Sequence, residues 1–341
     1  MILIKKEGVI LRKTALNFES QGVLNPAIIK EGERIYMFYR AVAKNNYSTI
    51  GFCELNGPLE VSRRYDFPVL TPMGDRESRG IEDPRIVKID ELYYLTYTAY
   101  DGFNALGALA TSLDLKTFER QGIIVPRISF PAFKVLAENT GKLNEKYSRF
   151  AHDKTLINMN TKLLVWDKDL IFFPRRINNR LYFLHRIKPD IQIASVNELS
   201  DLSELFWKNY LINFNNNIVL APRYDHEISY IGGGCPPIET TEGWLVIYHG
   251  VHDTANGYVY SACATLLDLE NPGKEIARLP YPLFKPETEW ELSGEVDNVC
   301  FPSGTAIFGD TLYIYYGAAD EQIACASVSL SKLIAALLNL G

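Results

Sequence analysis

The chain repeats one pattern five times. A strand-like run opens at or near a Pro, turns through polar residues, and returns as an aromatic-rich strand ending in polar or charged side chains. The copies run from Asn25-Pro26 to Tyr39-Arg40, from Asp83-Pro84 to Tyr97-Thr98 and from Phe173-Pro174 to His185-Arg186. Two more run from Pro236-Pro237 to Tyr248-His249 and from Phe301-Pro302 to Tyr315-Tyr316. Successive copies begin roughly 60 to 90 residues apart, the spacing of blade-sized sheet repeats. A chain of 341 residues exceeds the ~250–300 at which a single core stops growing. Stacked small sheets escape that limit, because each packs only on its neighbours. Twenty Tyr and 17 Phe supply the flat surfaces such stacking needs. The expected fold is all-β: a five-bladed β-propeller forming one catalytic domain over residues 1–341. A short C-terminal helix should close it over 330–338, where the apolar residues fall at helical spacing. A generic β-sandwich fits less well, since it does not repeat a polar-tipped hairpin five times.

Charge and composition narrow the function. A net charge of −6 disfavours nucleic acid and anionic membrane as partners. No apolar run approaches the ~18 residues of a membrane span. The opening Met1-Ile2-Leu3-Ile4-Lys5-Lys6-Glu7 goes straight into charged sequence, unlike a secretion leader. Five Cys, odd in number and without CxxC spacing, suit buried reduced thiols. A cytoplasmic location is expected, and a homo-oligomer stays open. Residues 127–165 read as an excursion between the second and third copies, of a length usually functional or mobile. Residues 198–217 read as a short helix and a turn.

In a propeller the inner strand ends of all blades converge on one pit. The polar residues at those ends are Asn25, Arg40, Glu82, Asp83, Arg85, Lys168, Asp169, His185, Arg186, His249, Asp297 and Asp320. Singly each has a bland reading. Asp83-Pro84 is a common turn opener, Lys168-Asp169 reads as a surface ion pair, and the His residues read as strand-end groups. Their equivalent placement in the repeats makes the set a candidate site for a polar substrate with an anion nearby. No metal is expected, since the five His lack HExxH spacing and no Cys–His cluster is visible. Gly232-Gly233-Gly234 lacks a following Lys-Ser/Thr and reads as a close-approach loop at the pit.

These residues also carry a family resemblance. Gly80-Ile81-Glu82-Asp83-Pro84-Arg85-Ile86 resembles the signature of glycoside hydrolase family 130, the β-mannoside phosphorylases and related mannosidases. The likeness continues through Lys168-Asp169-Leu170-Ile171-Phe172-Phe173-Pro174, Leu184-His185-Arg186 and Gly233-Gly234-Cys235-Pro236-Pro237-Ile238. It ends with Ile247-Tyr248-His249-Gly250-Val251, Asn298-Val299-Cys300-Phe301-Pro302 and Tyr316-Gly317-Ala318-Ala319-Asp320, all in family order. The family fold is a five-bladed propeller, which agrees with the repeat count.

The resemblance implies inverting phosphorolysis of β-mannosides, of mannooligosaccharide or mannosyl-glucose type, giving α-mannose 1-phosphate. By the same transfer Asp83 is the proton donor, acting through a sugar hydroxyl. Lys168, Arg186 and His249 are the phosphate ligands, and Asn25, Arg40, Glu82, Asp169 and Asp320 bind sugar. A proton donor needs a protonated carboxyl, and Glu82 and burial are expected to raise the Asp83 pKa. Phosphate is the co-substrate, and no cofactor is implied. Two positions depart from the family pattern. Lys168 stands where Arg is common and loses bidentate geometry, and Tyr230 stands where many relatives carry Lys. The alternative is an inverting β-mannosidase with Glu227 or Asp225 as base. A non-catalytic sugar-binding propeller is the third reading.

Overall fold

The computed structural model describes residues 2–151, 163–255 and 257–339. The chain is built from antiparallel meanders of four strands, because short β-branched and aromatic runs alternate with tight polar turns. The first comprises Gly22–Glu31, Arg34–Ala43, Tyr47–Asn56 and Glu60–Arg64. The second comprises Gly80–Ile89, Leu92–Tyr100, Ala105–Ser112 and Glu119–Ile123. One parallel bridge, Ser48 to Gly80, joins these two into a single eight-stranded sheet. The third unit comprises Lys168–Phe172, Leu181–Arg186, Ile191–Val196 and Ile218–Leu220. The fourth comprises Tyr230–Gly233, Gly243–Thr254, Gly257–Leu267 and Glu275–Arg278, with Ile238–Thr240 beside Gly243–Thr254. The fifth takes Cys300–Phe308, Thr311–Ala318 and Gln322–Ser329 and is completed by the N-terminal strand Lys5–Leu11. No sheet closes on itself among the described residues.

The core is divided among the junctions between units. Phe38, Phe52, Ile86 and Leu95 fill the junction of the first and second, and Leu109, Phe172 and Phe183 that of the second and third. Ile171, Leu184, Ile231 and Trp244 fill the next, and Ile247, Ala264, Ile314 and Ala326 the next. Val23, Met37, Ile323 and Cys325 return to the first unit. Each unit is thus sandwiched between two others, which lets a long chain bury its apolar faces in thin layers.

Where the polar end of each second strand was expected, a buried acid pins it. Tyr39 donates to Glu19 at 2.8 Å, Tyr97 to Glu77 at 2.8 Å and Tyr316 to Glu291 at 2.5 Å, and Tyr248 donates to Glu227. A cation from the outermost strand of the same unit completes each group: Arg64, Arg120, Lys6 and Arg278 in turn. The third unit substitutes His185 against Asp167 at 2.9 Å. Burying such pairs carries a desolvation cost that their attraction and hydrogen bonds offset, and removing one partner costs ~3–5 kcal/mol.

Three expected boundaries shift. The third hairpin begins at Lys168, so Phe173-Pro174 lies just past its first strand. In the fourth copy, residues 230–233 form the inner strand rather than a loop, and Pro236-Pro237 interrupts the chain before Ile238–Thr240. The excursion 127–165 carries the helices Phe130–Ala137 and Glu145–Ala151, which bury Phe133 and Tyr147 against the third unit. The remainder of that stretch, 152–162, lies outside the described residues. The expected helix within 198–217 is Glu204–Ile212, and the closing helix is Leu330–Leu338. All five Cys are buried and free. No described helix is long and apolar enough to cross a membrane.

Candidate active site

The same backbone irregularity recurs in the inner strands of the first three units. Register breaks between Leu24 and Ala27, between Glu82 and Arg85, and between Lys168 and Ile171. At each break one residue takes a left-handed backbone: Asn25 at φ 50°, Asp83 at φ 50° and Asp169 at φ 51°. Asn and Asp tolerate that region better than other non-glycine residues. A bulge re-aims the side chain it carries, and here it brings Asn25 and Asp83 together. Asn25 Nδ2 donates to Asp83 Oδ1 at 2.7 Å.

Cations surround that pair. Arg40 Nη2 donates to Glu82 Oε1 at 2.9 Å, and its Nη1 lies 3.5 Å from Asp83 Oδ1. Lys168 Nζ stands 3.4 Å from Glu82 Oε2 and 3.5 Å from Asp83 Oδ2. Arg85, fully buried, donates to the carbonyl oxygens of Gly234, Asp83 and Pro84 and so props the backbone of the motif. A cavity of about 550 Å³ opens over Arg40, Glu82, Lys168 and Asp320, with Tyr100 and Trp166 on its wall.

Next to it lies a second group. Arg186 Nε meets Asp169 Oδ2 at 3.0 Å without hydrogen-bond alignment. Gly232 lets His249 and Asp169 approach, since a Cβ there would stand 2.5 Å from both His249 Nε2 and Asp169 Oδ2. Gly317 does the same for Asn25, whose Oδ1 would lie 2.1 Å from an added Cβ. Among the described residues, 14 buried side-chain polar atoms lack a hydrogen-bond partner, and seven belong to Asn25, Arg85, Asp169, Arg186 and His249. Buried polar groups are normally satisfied, so this concentration marks a place prepared for a polar ligand.

The electrostatics differ from expectation in two respects. Burial pushes the Asp83 carboxyl up, but Lys168, Arg40 and the Asn25 amide outweigh it and hold it well below the usual carboxylate range. Asp83 is therefore ionised; the expected upward shift belongs instead to Asp320, raised to about 6 by burial with Asp83 and Glu82 nearby. Burial, reinforced by Arg186, Arg85 and Lys188, pushes His249 well below its ordinary value. His249 thus offers a neutral imidazole, not a charge.

Not every expected pit residue belongs there. His185 faces away from its neighbour Arg186, as strand alternation requires, and sits between Asp167 and the Tyr210 hydroxyl. Asp297 is exposed and caps the turn at Gly294. Glu227 is buried and accepts from Tyr248, Arg278 and the Arg223 amide, while Asp225 is exposed on the same turn. Neither lines the cavity over Arg40, Glu82 and Lys168. The sequence showed no Cys–His cluster, yet the fold brings ligand atoms of His226, Glu227 and Cys263 within 4.8 Å of one another. That group is built on a carboxylate whose two oxygens are already engaged by Tyr248 and Arg278. Sequence reasoning missed Tyr100 and Trp166, which carry no motif and reach the cavity through the fold.

A family model described as beta-1,4-mannooligosaccharide phosphorylase (glycoside hydrolase family 130) matches residues 11–339. The chain is 32% identical to a 1,2-beta-oligomannan phosphorylase of Thermoanaerobacter sp. (strain X514), over 98% of this chain and 99% of that protein. It is 32% identical to a beta-1,2-mannobiose phosphorylase of the same organism, over 93% of each. The fold is shared with the beta-1,2-mannobiose phosphorylase of Listeria innocua in its mannobiose complex. The TM-score is 0.72, at 22% identity, covering 98% of this chain and 99% of that one.

Proposed function

The chain belongs to glycoside hydrolase family 130, and from that premise we propose that it cleaves β-mannosides by inverting phosphorolysis. Phosphate oxygen attacks the anomeric carbon of the terminal mannosyl residue as the glycosidic C–O bond breaks. The leaving sugar takes a proton delivered from Asp83, and α-mannose 1-phosphate is released. The β-1,2 linkage is the first to test, because the two relatives that span the chain are named for it. The observation that carries the reading is the set of buried, unsatisfied polar atoms on Arg85, Arg186 and His249 beside the Asp83 carboxylate. An anion there would accept charge-assisted bonds from the two guanidinium groups and a hydrogen bond from the single N–H of the neutral His249.

Asp83 must gain a proton before it can give one. Lys168 lies 3.5 Å from it, and a phosphate bound beside Lys168 and Arg186 competes for that charge. The hold on Asp83 then weakens, and protonation follows the co-substrate. Arg40, Glu82, Asn25 and Asp320 fix ring hydroxyls in this reading, and Asp169 orients Arg186. The five units are read as blades of one propeller, supported by junction cores that run from each unit to the next and back to the first. The reading needs phosphate as co-substrate and no resident cofactor, and it fits a single domain in the cytoplasm, where a sugar phosphate is retained.

The test is to incubate the protein with β-1,2- and β-1,4-linked mannobioses, with and without phosphate, and to measure mannose 1-phosphate and free mannose. Phosphate-dependent mannose 1-phosphate is expected. Free mannose released equally with and without phosphate would overturn the proposal.

A further inference from the structure

Beyond Arg186 the chain turns through Ile187 to Asp190, and this loop is held from three sides. Ile187 N donates to Gln192 Oε1 at 2.7 Å, Ile231 N donates to Pro189 O at 2.9 Å, and the Tyr147 hydroxyl donates to Asp190 Oδ2 at 2.5 Å. The Lys188 side chain therefore starts from a fixed base. Its Nζ lies 3.7 Å from the centroid of the Tyr230 ring, and the Arg186 guanidinium carbon lies 5.5 Å from the same centroid. The Tyr230 hydroxyl is tied to that of Tyr260 at 2.5 Å, and the Tyr260 ring lies 6.1 Å from His249. One aromatic ring thus carries two cationic side chains next to the imidazole.

Two like charges on one ring repel, and the π-face offsets only part of that: a cation–π contact contributes ~0.5–2 kcal/mol. Burial, Arg186 and Lys168 all push the Lys188 pKa well down. The Asp169 carboxylate, 3.0 Å from Arg186 Nε, offsets part of that repulsion, and an anion between the two cations would offset more of it. The donors such an anion would meet are buried and unsatisfied: Arg186 Nε and the one ring nitrogen of the neutral His249 that carries a hydrogen.

Resting on the phosphorolysis reading, we propose that Lys188 is a further phosphate-binding residue, its amine held over Tyr230 so that it and Arg186 grip one phosphate. Tyr230 then acts as the platform that aims both side chains. The first measurement is isothermal titration of inorganic phosphate into the wild type and into Lys188→Met, Lys188→Arg and Tyr230→Leu, with melting temperatures to show that each folds. Lys188→Met should weaken phosphate binding about 10- to 100-fold, the size of one charge-assisted bond. Lys188→Arg should stay within a few-fold of wild type, and Tyr230→Leu should fall between. The second measurement is steady-state turnover, in which Lys188→Met should raise the phosphate KM and leave the mannoside KM unchanged. Unchanged phosphate affinity in a folded Lys188→Met overturns the assignment, as does an equal rise in both KM values. A wild type that binds phosphate but turns over without it would instead sink phosphorolysis and leave the binding assignment standing.

Discussion

Gly232→Ala tests the geometry of the anion site with a single methyl group. Gly232 pairs with His249 across the fourth unit, and its added Cβ would lie 2.5 Å from Asp169 Oδ2 and from His249 Nε2 and Cε1. Ordinary contact begins at 3.4 Å, so both side chains must move by about 1 Å in a tightly packed interior. Neither has room, since His249 is 0% exposed and Asp169 5%. Overpacking of this kind costs ~1–3 kcal/mol, a fall of a few degrees in Tm for a protein of this size. A misplacement near 1 Å at reacting groups costs about 10²-fold in rate. The control is Gly233→Ala, whose Cβ meets the buried Ile171 Cδ1 at 2.7 Å and the Asp169 carbonyl oxygen at 3.3 Å, a packing clash that spares His249 and the Asp169 carboxylate oxygens. Mannose 1-phosphate release at varied phosphate is the assay, with Tm alongside. Gly232→Ala should lose turnover and phosphate affinity far beyond its loss of stability, whereas Gly233→Ala should lose stability by a similar amount and little phosphate affinity. If the two variants behave alike toward phosphate, the convergence of Asp169 and His249 on Gly232 is not what shapes the site.

Asp83→Asn is nearly isosteric and keeps the Asn25 neighbour, so it should fold normally and lose about 10²–10⁴ in rate, the range for general acid catalysis. Near-normal turnover of an unactivated mannoside would rule out Asp83 as donor. Arg186→Ala removes a charged donor from the anion site and should raise the phosphate KM about 10- to 150-fold, measured at saturating mannoside; an unchanged KM would place the phosphate elsewhere. Glu291 governs acid stability. Burial alone would raise its pKa, but Lys6 at 2.5 Å and the Tyr316 hydroxyl lower it to about 2, from 4.5. The unfolded chain therefore binds the proton more readily, so this stabilisation is complete above about pH 4.5 and is lost as pH falls toward 2. Glu291→Gln should lower Tm at pH 7 and flatten the Tm profile between those limits; parallel profiles for variant and wild type would contradict the assignment.

The repeats were legible because sheet pairing leaves a local trace. Each hairpin alternates apolar and polar residues within a few positions of its turn, and that is visible without the fold. The errors lie where a strand carries no such trace. Tyr230–Gly233 has three glycines in succession with Gly234 and reads as a loop, yet it is the inner strand of its unit, because only glycine lets His249, Asp169 and the Ile247 carbonyl come so close. The excursion after the second unit reads as irregular because its two helices are short, and the first buries only Phe133 and Ala137.

The pinning acids were present in the sequence as a second period that overlaps the first. Glu19 precedes Tyr39 by 20 residues and Glu77 precedes Tyr97 by 20, while Glu227 and Glu291 precede Tyr248 and Tyr316 by 21 and 25. Aligned on the tyrosine, each following residue falls on the site side of its strand: Arg40, Thr98, Arg186 after His185, His249 and Gly317. That alignment separates His185 from Arg186 and Glu227 from the candidate bases, since each acid is committed to its unit's own tyrosine or histidine. Protonation states resist such reading for a different reason. The Asp83 shift is a sum of opposing contributions from burial, Lys168, Arg40 and Asn25, brought together from three separate strands. The neighbouring Glu82 suggests an upward shift, but its carboxylate is itself paired with Arg40 and Lys168. The sign is therefore set by which cations the bulges bring within 3.5 Å, a distance that sequence spacing does not contain.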